Sequence, residues 1–257
     1  MPNNITAKAA KGEFALGAFV NIGAVASVEI LALGGLDFVI IDTEHGPFEV
    51  EKALELIMAA EVRGITPIVR ARATERSAIL KMLDAGAQGL LIPYIKSVEE
   101  AKQIVSWGKY RPTGDRGYSF TRSGNYGHSH EAAGIMEFFA AKNAETLLIP
   151  QCETPECLAQ IDAIAAVPGI DGIFIGPFDL SISLDIAGQF TNPMLTDAFQ
   201  KVLQACQNAG KLCLNLATTP EDAKAKRAMG FHAVAASDVG FLRNGVSSYI
   251  QGIKQGG

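Results

Sequence analysis

Short runs of aliphatic residues recur along the chain, and longer segments with apolar residues at helical spacing separate them. Such runs, rich in Val, Ile and Leu and bounded by Gly, Pro or Asp, are typical of strands that are buried on both faces. We predict eight of these strands, at Ala15–Phe19, Leu36–Asp42, Thr66–Arg70, Gly89–Pro93, Leu147–Glu153, Gly172–Asp179, Leu212–Asn215 and Phe231–Ala235.

The segments between the strands predict helices. Thr154 followed by Pro155 is a typical helix start, because a Thr side chain can cap the first turn and Pro suits its first position. Gly34 and Gly86 are typical of helix ends. The predicted helices are Ala24–Leu33, Glu49–Val62, Thr74–Ala85, Ser97–Trp107, Glu131–Lys142, Pro155–Val167, Asn192–Ala209, Pro220–Met229 and Asp238–Ile250.

Strand and helix thus alternate along most of the chain. Eight such repeats in 257 residues predict an α/β fold, the TIM (β/α)8 barrel, with eight parallel strands. A chain of this length can bury one large core, so we expect a single domain over residues 1–257. The active site of such a barrel lies at the carboxyl ends of its strands.

The alternation is interrupted between Lys109 and His130, where Gly, Arg and Tyr are frequent. A connection of this length is uncommon in a compact domain and is often functional. Disorder is the alternative, but the aromatic and arginine side chains favour packing against another part of the protein. We therefore expect an ordered active-site loop.

Composition excludes several classes of partner. The net charge of −5 gives no basic surface for nucleic acid, and no apolar run is long enough to cross a bilayer. The four cysteines form no metal-type CxxC pair, and the first residues lack the apolar core of a signal peptide. We expect a reduced, cytoplasmic protein that acts on a small molecule.

Polar residues at the predicted strand ends are candidates for the active site. Glu153 and Asp179 end neighbouring strands, where two carboxylates would repel each other unless a cation or a proton lay between them. Oxygen ligands suit Mg²⁺ or Mn²⁺ better than zinc. As an alternative, Asp179 caps the helical turn that follows it. The other candidates are Asn21, Asp42, Glu44, His45, Arg70, Arg72, Tyr94, Lys96, Gln151, Asn215, Ser237 and Asp238.

Three of these positions carry further expectations. His45 is either a surface histidine or a general base, a role that imidazole suits near neutral pH. Arg70 ends a buried strand and should meet an anion, either Asp42 or a substrate carboxylate. Because strand side chains alternate, Gln151 and Glu153 share one face and Cys152 points to the other. We therefore expect Cys152 to be packed against helices.

Five motifs in register resemble the HpcH/HpaI family of class II pyruvate-dependent aldolases, and the resemblance covers nearly the whole chain. They are Asp42-Thr43-Glu44-His45-Gly46-Pro47, Arg70 at its strand end, Leu83-Asp84-Ala85-Gly86-Ala87-Gln88-Gly89 with Pro93, Gln151-Cys152-Glu153-Thr154, and Gly176-Pro177-Phe178-Asp179-Leu180-Ser181.

The resemblance implies a role for each matching residue. Glu153 and Asp179 match ligands of a divalent metal, Mg²⁺ or Mn²⁺ with Co²⁺ as a further option, and Arg70 matches the arginine that contacts pyruvate and stabilises its enolate. His45 matches the catalytic base, Asp84 the acid that partners it, and Asp42 a supporting acid. Gln151 falls near the bound oxo acid, and the amides around Phe178 and Asp179 match the substrate-carboxylate site.

Two segments depart from the family pattern. Phe178 departs from those members that have a small residue before the aspartate, and it narrows the site or changes the donor that fits. The Lys109–His130 segment also differs from the run found in some members, so the aldehyde stays open.

The implied reaction cleaves or forms a 4-hydroxy-2-oxo acid, with pyruvate and an aldehyde as the other species. The family also implies a homo-oligomer, commonly a hexamer with exchanged C-terminal helices. The apolar last helix fits either such an exchange or closure of its own barrel.

Three alternatives differ in chemistry. A Schiff-base aldolase needs a desolvated lysine at a strand end, and only Lys96 is near. A barrel lyase acting on acyl-CoA thioesters needs a basic surface for the nucleotide, which the sequence does not reveal. A non-catalytic barrel that binds a carboxylate predicts metal binding without proton exchange.

Overall fold

A computed structural model describes residues 3–255, which include a closed barrel of eight parallel strands in the order β1 to β8. The predicted TIM barrel is confirmed. The single domain predicted over residues 1–257 stays a prediction, and four of its terminal residues lie outside the described range. The strands are β1 (Ala15–Val20), β2 (Phe38–Asp42), β3 (Thr66–Arg70), β4 (Gly89–Ile92), β5 (Leu147–Cys152), β6 (Gly172–Ile175), β7 (Leu212–Leu216) and β8 (Ala233–Ser237).

Helices surround the barrel and connect its strands. They are α1 (Asn4–Ala9), α2 (Val25–Leu33), α3 (Val50–Val62), α4 (Arg76–Ala85), α5 (Val98–Gly108), α6 (His128–Ala133), α7 (Ile135–Glu145), α8 (Pro155–Ala159), α9 (Ile161–Ala165), α10 (Pro177–Ser183), α11 (Pro193–Ala209), α12 (Pro220–Met229) and α13 (Asp238–Gln255), with a 3₁₀ segment at Arg122–Gly127.

Four helical segments differ from the prediction. Helix α10 begins at Pro177, within the predicted strand Gly172–Asp179, which ends at Ile175. Helix α1 was not predicted; the Asn3 side chain caps it, and Ile5 packs into the barrel interior. The predicted helix Glu131–Lys142 is interrupted at Gly134, whose φ of 89° ends α6. The segment after Thr154 divides into α8 and α9 around Gln160, although the predicted Thr154 cap is present.

Alternation along the strands separates two apolar layers. In β2, Phe38 and Ile40 belong to the barrel interior, whereas Val39 and Ile41 pack against the surrounding helices. Because side chains alternate, the last residue of this strand, Asp42, continues the inward series. The same alternation places Cys152 in the outer layer beside α8, as predicted.

The Lys109–His130 segment is ordered and lies at the amino end of the barrel. Helix α5 carries the chain back from the carboxyl end of β4, so the segment that leads to β5 is at the opposite end from the strand termini. Tyr110 stacks on Phe139 at 4.3 Å between ring centres and has Tyr118 at 6.3 Å. The predicted order is therefore present, but within one chain the segment is not an active-site loop.

Helix α13 leaves much of its apolar surface uncovered. Phe241, Leu242, Val246, Tyr249 and Ile253 are all exposed. Within residues 3–255, no helix combines the length and apolar character that a membrane crossing requires.

Candidate active site

In several strands the inward series ends in a polar residue at the carboxyl end of the barrel. In β3, Ile68 faces the interior and Arg70 follows it by two; in β5, Leu147 and Ile149 lead to Gln151. Two-residue spacing places these polar ends in the layer above the apolar interior. A cavity of about 440 Å³ opens there, which we call the mouth cavity. Its lining includes Asn21, Asp42, His45, Arg70, Gln151, Phe174, Gly176, Phe178, Asp179, Leu216, Ser237 and Phe241.

Asp42 and Arg70 form a bidentate ion pair at the edge of this cavity. The two residues are register partners in the β2–β3 ladder. Arg70 Nε donates to Asp42 Oδ1 at 2.8 Å, and Nη2 donates to Oδ2 at 2.6 Å. The guanidinium also lies over the Phe19 ring, with Cζ 5.0 Å from its centre. The arginine, only 8% exposed, is thus fixed in one orientation.

Asp42 also organises the turn that follows β2. Its Oδ1 accepts hydrogen bonds from the backbone N–H groups of Glu44 at 3.1 Å and His45 at 3.2 Å, and Asn21 Nδ2 donates to Oδ2 at 2.7 Å. Burial alone would raise the pKa of Asp42, but the hydrogen bonds and the charge of Arg70 outweigh it and lower the pKa. Asp42 is therefore a fixed anion that orients Arg70 and the His45 backbone.

Glu153 lies just beyond β5 and is 4% exposed. Its Oε1 accepts a hydrogen bond from the Tyr94 N–H at 2.6 Å, and Gln151 Nε2 donates to its Oε2. Burial, together with the charges of Asp179 and Glu44, raises the pKa of Glu153 from 4.5 to about 7, against the opposing effects of Tyr94 and Arg70. Without a cation, this carboxyl group is thus readily protonated near neutral pH.

Asp179 lies in the first turn of α10 and is exposed to the mouth cavity. The N-cap of this helix is Gly176, so Asp179 is not the cap that the alternative interpretation predicts. A Cβ atom on Gly176 would come within 2.6 Å of both Gln151 Nε2 and Glu153 Oε2. Glycine at this position therefore allows the close approach of β6 to the Glu153 carboxylate.

The arrangement fits a hard divalent cation. Glu153 and Asp179 would offer a cation only oxygen atoms, and Gln151 Oε1 is buried without a hydrogen-bond partner among residues 3–255. The described residues contain no cluster of three or more His, Cys, Asp or Glu side chains placed as a metal site. A two-carboxylate site leaves further positions for water or substrate oxygens, as is usual for Mg²⁺.

Glu44 is a site residue to which the sequence assigned no role. Its carboxylate lies 3.1 Å from Arg70 Nη1, and burial with the charges of Asp42 and Asp179 raises its pKa against the opposing effect of Arg70 and His45. Its place after a strand end marked it as a candidate, but only the barrel geometry brings it to both Arg70 and Asp179.

His45, Arg70, Gln151, Phe178 and Asp179 all line the mouth cavity. The structure thus brings them together with Asp42, and Phe178 contacts Phe190 at 4.7 Å between ring centres. No lysine lines the cavity in the described part of the chain.

Asp84 is separated from His45 within one chain, contrary to the expected pairing. Helix α4 runs from the carboxyl end of β3 back towards the amino end of β4, so its last turn lies at the opposite end of the barrel. There Asp84 Oδ1 accepts a hydrogen bond from Arg116 Nη2 at 2.8 Å.

Comparison with known proteins identifies the family of this chain. The family model described as HpcH/HpaI aldolase/citrate lyase matches residues 15–244. The 5-keto-4-deoxy-D-glucarate aldolase of Shigella dysenteriae serotype 1 (strain Sd197) is 32% identical over 244 residues, covering 95% of this chain and 93% of that protein. The enzyme of the same name from Enterobacter sp. (strain 638) is 31% identical over 255 residues, covering 99% and 98%.

Two solved structures also resemble this chain in fold and sequence. An HpcH/HpaI aldolase from Desulfitobacterium hafniense DCB-2 matches with a TM-score of 0.89 and 27% identity, covering 97% of this chain and 96% of that chain. The citrate synthase SbnG matches with a TM-score of 0.88 and 30% identity, covering 98% of both chains. The resemblance predicted from the motifs is confirmed, and this chain belongs to the HpcH/HpaI aldolase/citrate lyase family.

Proposed function

We propose that the protein is a divalent-metal-dependent aldolase that cleaves a 4-hydroxy-2-oxo acid to pyruvate and an aldehyde, or forms it from them. One observation carries the proposal: the buried Asp42–Arg70 pair and the Glu153–Asp179 carboxylates line or border one cavity with His45. The names of the two aldolase relatives support carbon–carbon bond chemistry on an oxo acid.

Glu153 and Asp179 would hold Mg²⁺ or Mn²⁺. Burial and, to a smaller extent, the charge of Asp179 raise the pKa of Glu153, and a cation between the two acids would offset both effects. When bound, the cation supplies Lewis acidity to the keto group of the 2-oxo acid. Gln151, whose Nε2 donates to Glu153, holds that carboxylate in place.

Arg70 stabilises the negative charge that develops on the keto oxygen. Its guanidinium has five N–H donors, of which two are used by Asp42 and one is directed at Glu44. Two donors are left for substrate oxygens. Because Asp42 and Phe19 already fix the group, it needs little reorganisation during the reaction.

His45 transfers the proton. In the condensation direction it takes a proton from the methyl carbon of pyruvate, and the electron pair of that C–H bond moves towards the keto oxygen. The enolate carbon then attacks the aldehyde carbonyl carbon to form the C3–C4 bond, and the keto double bond is restored. The π pair of the aldehyde moves to its oxygen, which takes the proton held by His45, directly or through water, and becomes the 4-hydroxyl. Cleavage follows the same steps in reverse.

The first turn of α10 would bind the substrate carboxylate. The helix itself cannot satisfy the backbone N–H groups of Phe178 and Asp179, and both residues line the mouth cavity. Phe178 is braced by Phe190 and narrows this side of the cavity. We expect it to favour a small donor such as pyruvate.

The test is loss of deuterium from methyl-deuterated pyruvate in H₂O, followed by NMR without aldehyde. Protein treated with EDTA should exchange slowly, and added Mg²⁺ or Mn²⁺ should restore exchange. His45→Ala and Asp179→Ala should abolish it, whereas the control His128→Ala, at a side chain that is 83% exposed, should retain it.

Other outcomes identify the rival chemistries. Exchange that does not depend on metal would indicate an imine on Lys96, which contacts the Tyr94 ring at 4.4 Å and does not line the mouth cavity. Metal binding without exchange would exclude pyruvate as the donor and favour larger 2-oxo acids, acyl-CoA thioesters or a binding role.

We further propose that the protein is a homo-oligomer, with a hexamer and exchanged C-terminal helices as the specific form. The exposed apolar residues of α13 support an interface there, because a patch of this kind usually covers a partner surface. Light scattering coupled to size-exclusion chromatography measures the assembly directly.

A further inference from the structure

Asn21, the residue after β1, donates hydrogen bonds to two buried carboxylates. Its side-chain Nδ2 donates to Asp42 Oδ2 at 2.7 Å, and its backbone N lies 3.1 Å from each carboxylate oxygen of Asp238. Asp42 and Asp238 are 1% and 4% exposed, so solvent screens these contacts little. Asn21 therefore links the end of β2 to the start of α13.

The charge of Asp42 fixes the orientation of the Asn21 amide. Burial raises the pKa of Asp42, but the hydrogen bonds and charge of Arg70, together with the Asn21 bond, outweigh burial and lower it. An ionised carboxylate only accepts hydrogen bonds, so the NH₂ group of Asn21 must face it. Rotation of the amide would instead bring two acceptor oxygens together.

Asn21 and Arg70 hold Asp42 from the strands on either side of β2. Arg70 Nη2 donates to the same oxygen as Asn21, at 2.6 Å, and Nε donates to Oδ1 at 2.8 Å. Asn21 follows β1 and Arg70 ends β3, the two neighbours of β2 in the barrel. Without the Asn21 donor, the carboxylate keeps Arg70 but loses its restraint on the side of β1. The Asp42–Arg70 pair is then free to turn as a unit, which changes the direction of the guanidinium.

Asp238 fixes the backbone that carries Asn21. Its carboxylate also accepts hydrogen bonds from the backbone N–H groups of Ile22 at 3.0 Å and Val239 at 2.7 Å. Hydrogen bonds to a charged acceptor are strong, so these contacts hold the turn after β1 firmly. Asn21 is part of the lining of the mouth cavity, whereas Asp238 lies outside that lining. Asp238 can therefore affect a bound substrate only through the residues that it holds.

We infer that Asn21 is a positioning residue, which sets the direction of the Arg70 guanidinium by holding Asp42. Asp238 keeps Asn21 in place for this role. The inference rests on the proposed function, in which Arg70 stabilises the charge that develops on the keto oxygen. A misdirected guanidinium weakens its contact with this developing charge more than it weakens the binding of pyruvate. Loss of the Asn21 donor therefore lowers kcat and leaves KM nearly unchanged.

The experiment measures deuterium loss from methyl-deuterated pyruvate with Mn²⁺ over a range of pyruvate concentrations, which gives kcat and KM separately. Asn21→Leu keeps the branched shape of the side chain and removes the donor. It should lower kcat about tenfold and change KM by less than about twofold. Asn208→Leu makes the same change at an exposed asparagine of α11 and should leave both constants unchanged.

Asp238→Asn tests the link from a position outside the lining of the mouth cavity. Its amide has one acceptor oxygen in place of two, so the Asn21 N–H is held less firmly. The variant should also lower kcat at nearly constant KM. The double variant should match the kcat of Asn21→Leu to within about twofold, because both changes act through the same contact. If Asn21→Leu does not fold, as judged by circular dichroism, the kcat of Asp238→Asn decides.

Three results would overturn the inference. A raised KM at unchanged kcat in Asn21→Leu would place Asn21 against the substrate. An unchanged kcat with a lowered melting temperature would leave Asn21 with a structural role only. Losses in kcat that multiply in the double variant would show that Asn21 and Asp238 act separately.

Failure of the aldolase proposal gives a different result. If the parent protein exchanges no deuterium with either Mg²⁺ or Mn²⁺, that proposal fails, and Arg70 itself reports on Asn21. In protein labelled with ¹⁵N-arginine, the Nε–H signal that is absent from Arg70→Lys belongs to Arg70. Its proton should exchange with water about tenfold faster in Asn21→Leu than in the parent, because the bond to Asp42 opens more often. Equal exchange rates would overturn the inference about Asn21.

Discussion

Replacement of Glu153 by glutamine should stabilise the metal-free protein at alkaline pH and change its stability little at pH 5. The pKa of Glu153 is raised to about 7 in the folded protein, from a usual value of 4.5. The folded state therefore holds the proton more tightly than the unfolded state does. The stability associated with this group is fully present below pH 4.5 and is lost as the pH rises to about 7.

The structure gives the size of the effect. At 1.36 kcal/mol per pH unit, the rise in pKa corresponds to a loss of about 3 kcal/mol once the carboxyl group is ionised. Because Glu153 is 4% exposed, solvent screens this cost little. Glutamine carries no charge in either state and avoids the loss. Its amide also fits, since Tyr94 N–H can donate to its oxygen and Gln151 can rotate to present its unpartnered Oε1.

The assay is thermal unfolding in EDTA at pH 5 and pH 8.5. For a chain of this length, about 3 kcal/mol raises the melting temperature by about 6 °C, so Glu153→Gln should gain about that much over the parent at pH 8.5 and about 2 °C or less at pH 5. Glu156→Gln, at an exposed glutamate nearby, should show no such pH dependence. Equal shifts at both pH values, or a destabilised variant at pH 8.5, would refute the assigned cause.

Three further predictions concern the same site and the assembly. Asp42→Asn should destabilise the protein by about 3 kcal/mol, because it leaves the buried Arg70 without its principal anion; urea unfolding of the variant beside the parent protein measures the loss. Gly176→Ala should weaken Mn²⁺ binding by displacing Glu153, whereas Gly252→Ala, where a Cβ meets nothing within 4 Å, should not; equal Mn²⁺ affinity measured by calorimetry would contradict the close approach. Leu242→Asp should reduce the oligomer mass in light scattering, and an unchanged mass would exclude this face of α13 from the interface.

Several features of the site follow from local sequence. Alternation of side chains along a strand fixes which residues face the barrel interior, so the sequence placed Gln151 on the inner side and Cys152 on the outer side correctly. The Thr154 cap also depends only on neighbouring residues, and its side chain accepts from Cys157 N–H at 3.1 Å. Strand alternation and helix caps can therefore be predicted from a few adjacent residues.

The pairing of Arg70 needed more than its own strand. A charged residue at a buried strand end predicts some anion, and the sequence named Asp42 or a substrate carboxylate. Only the β2–β3 register selects Asp42, and only the curvature of the barrel also brings Glu44 to Nη1. The raised pKa of Glu153 likewise depends on burial and on charges from other strands.

The sequence by itself determined the barrel class, the family and the residues at the strand ends, because each depends on local periodicity or on motifs in order along the chain. The tertiary structure decided where the helices that return to the amino end of the barrel terminate: Asp84 pairs with Arg116 there, and the Lys109–His130 segment lies at that end. Those contacts join residues that are distant in the chain. Closure of the barrel sets the distances between them, so a local sequence pattern cannot predict these contacts.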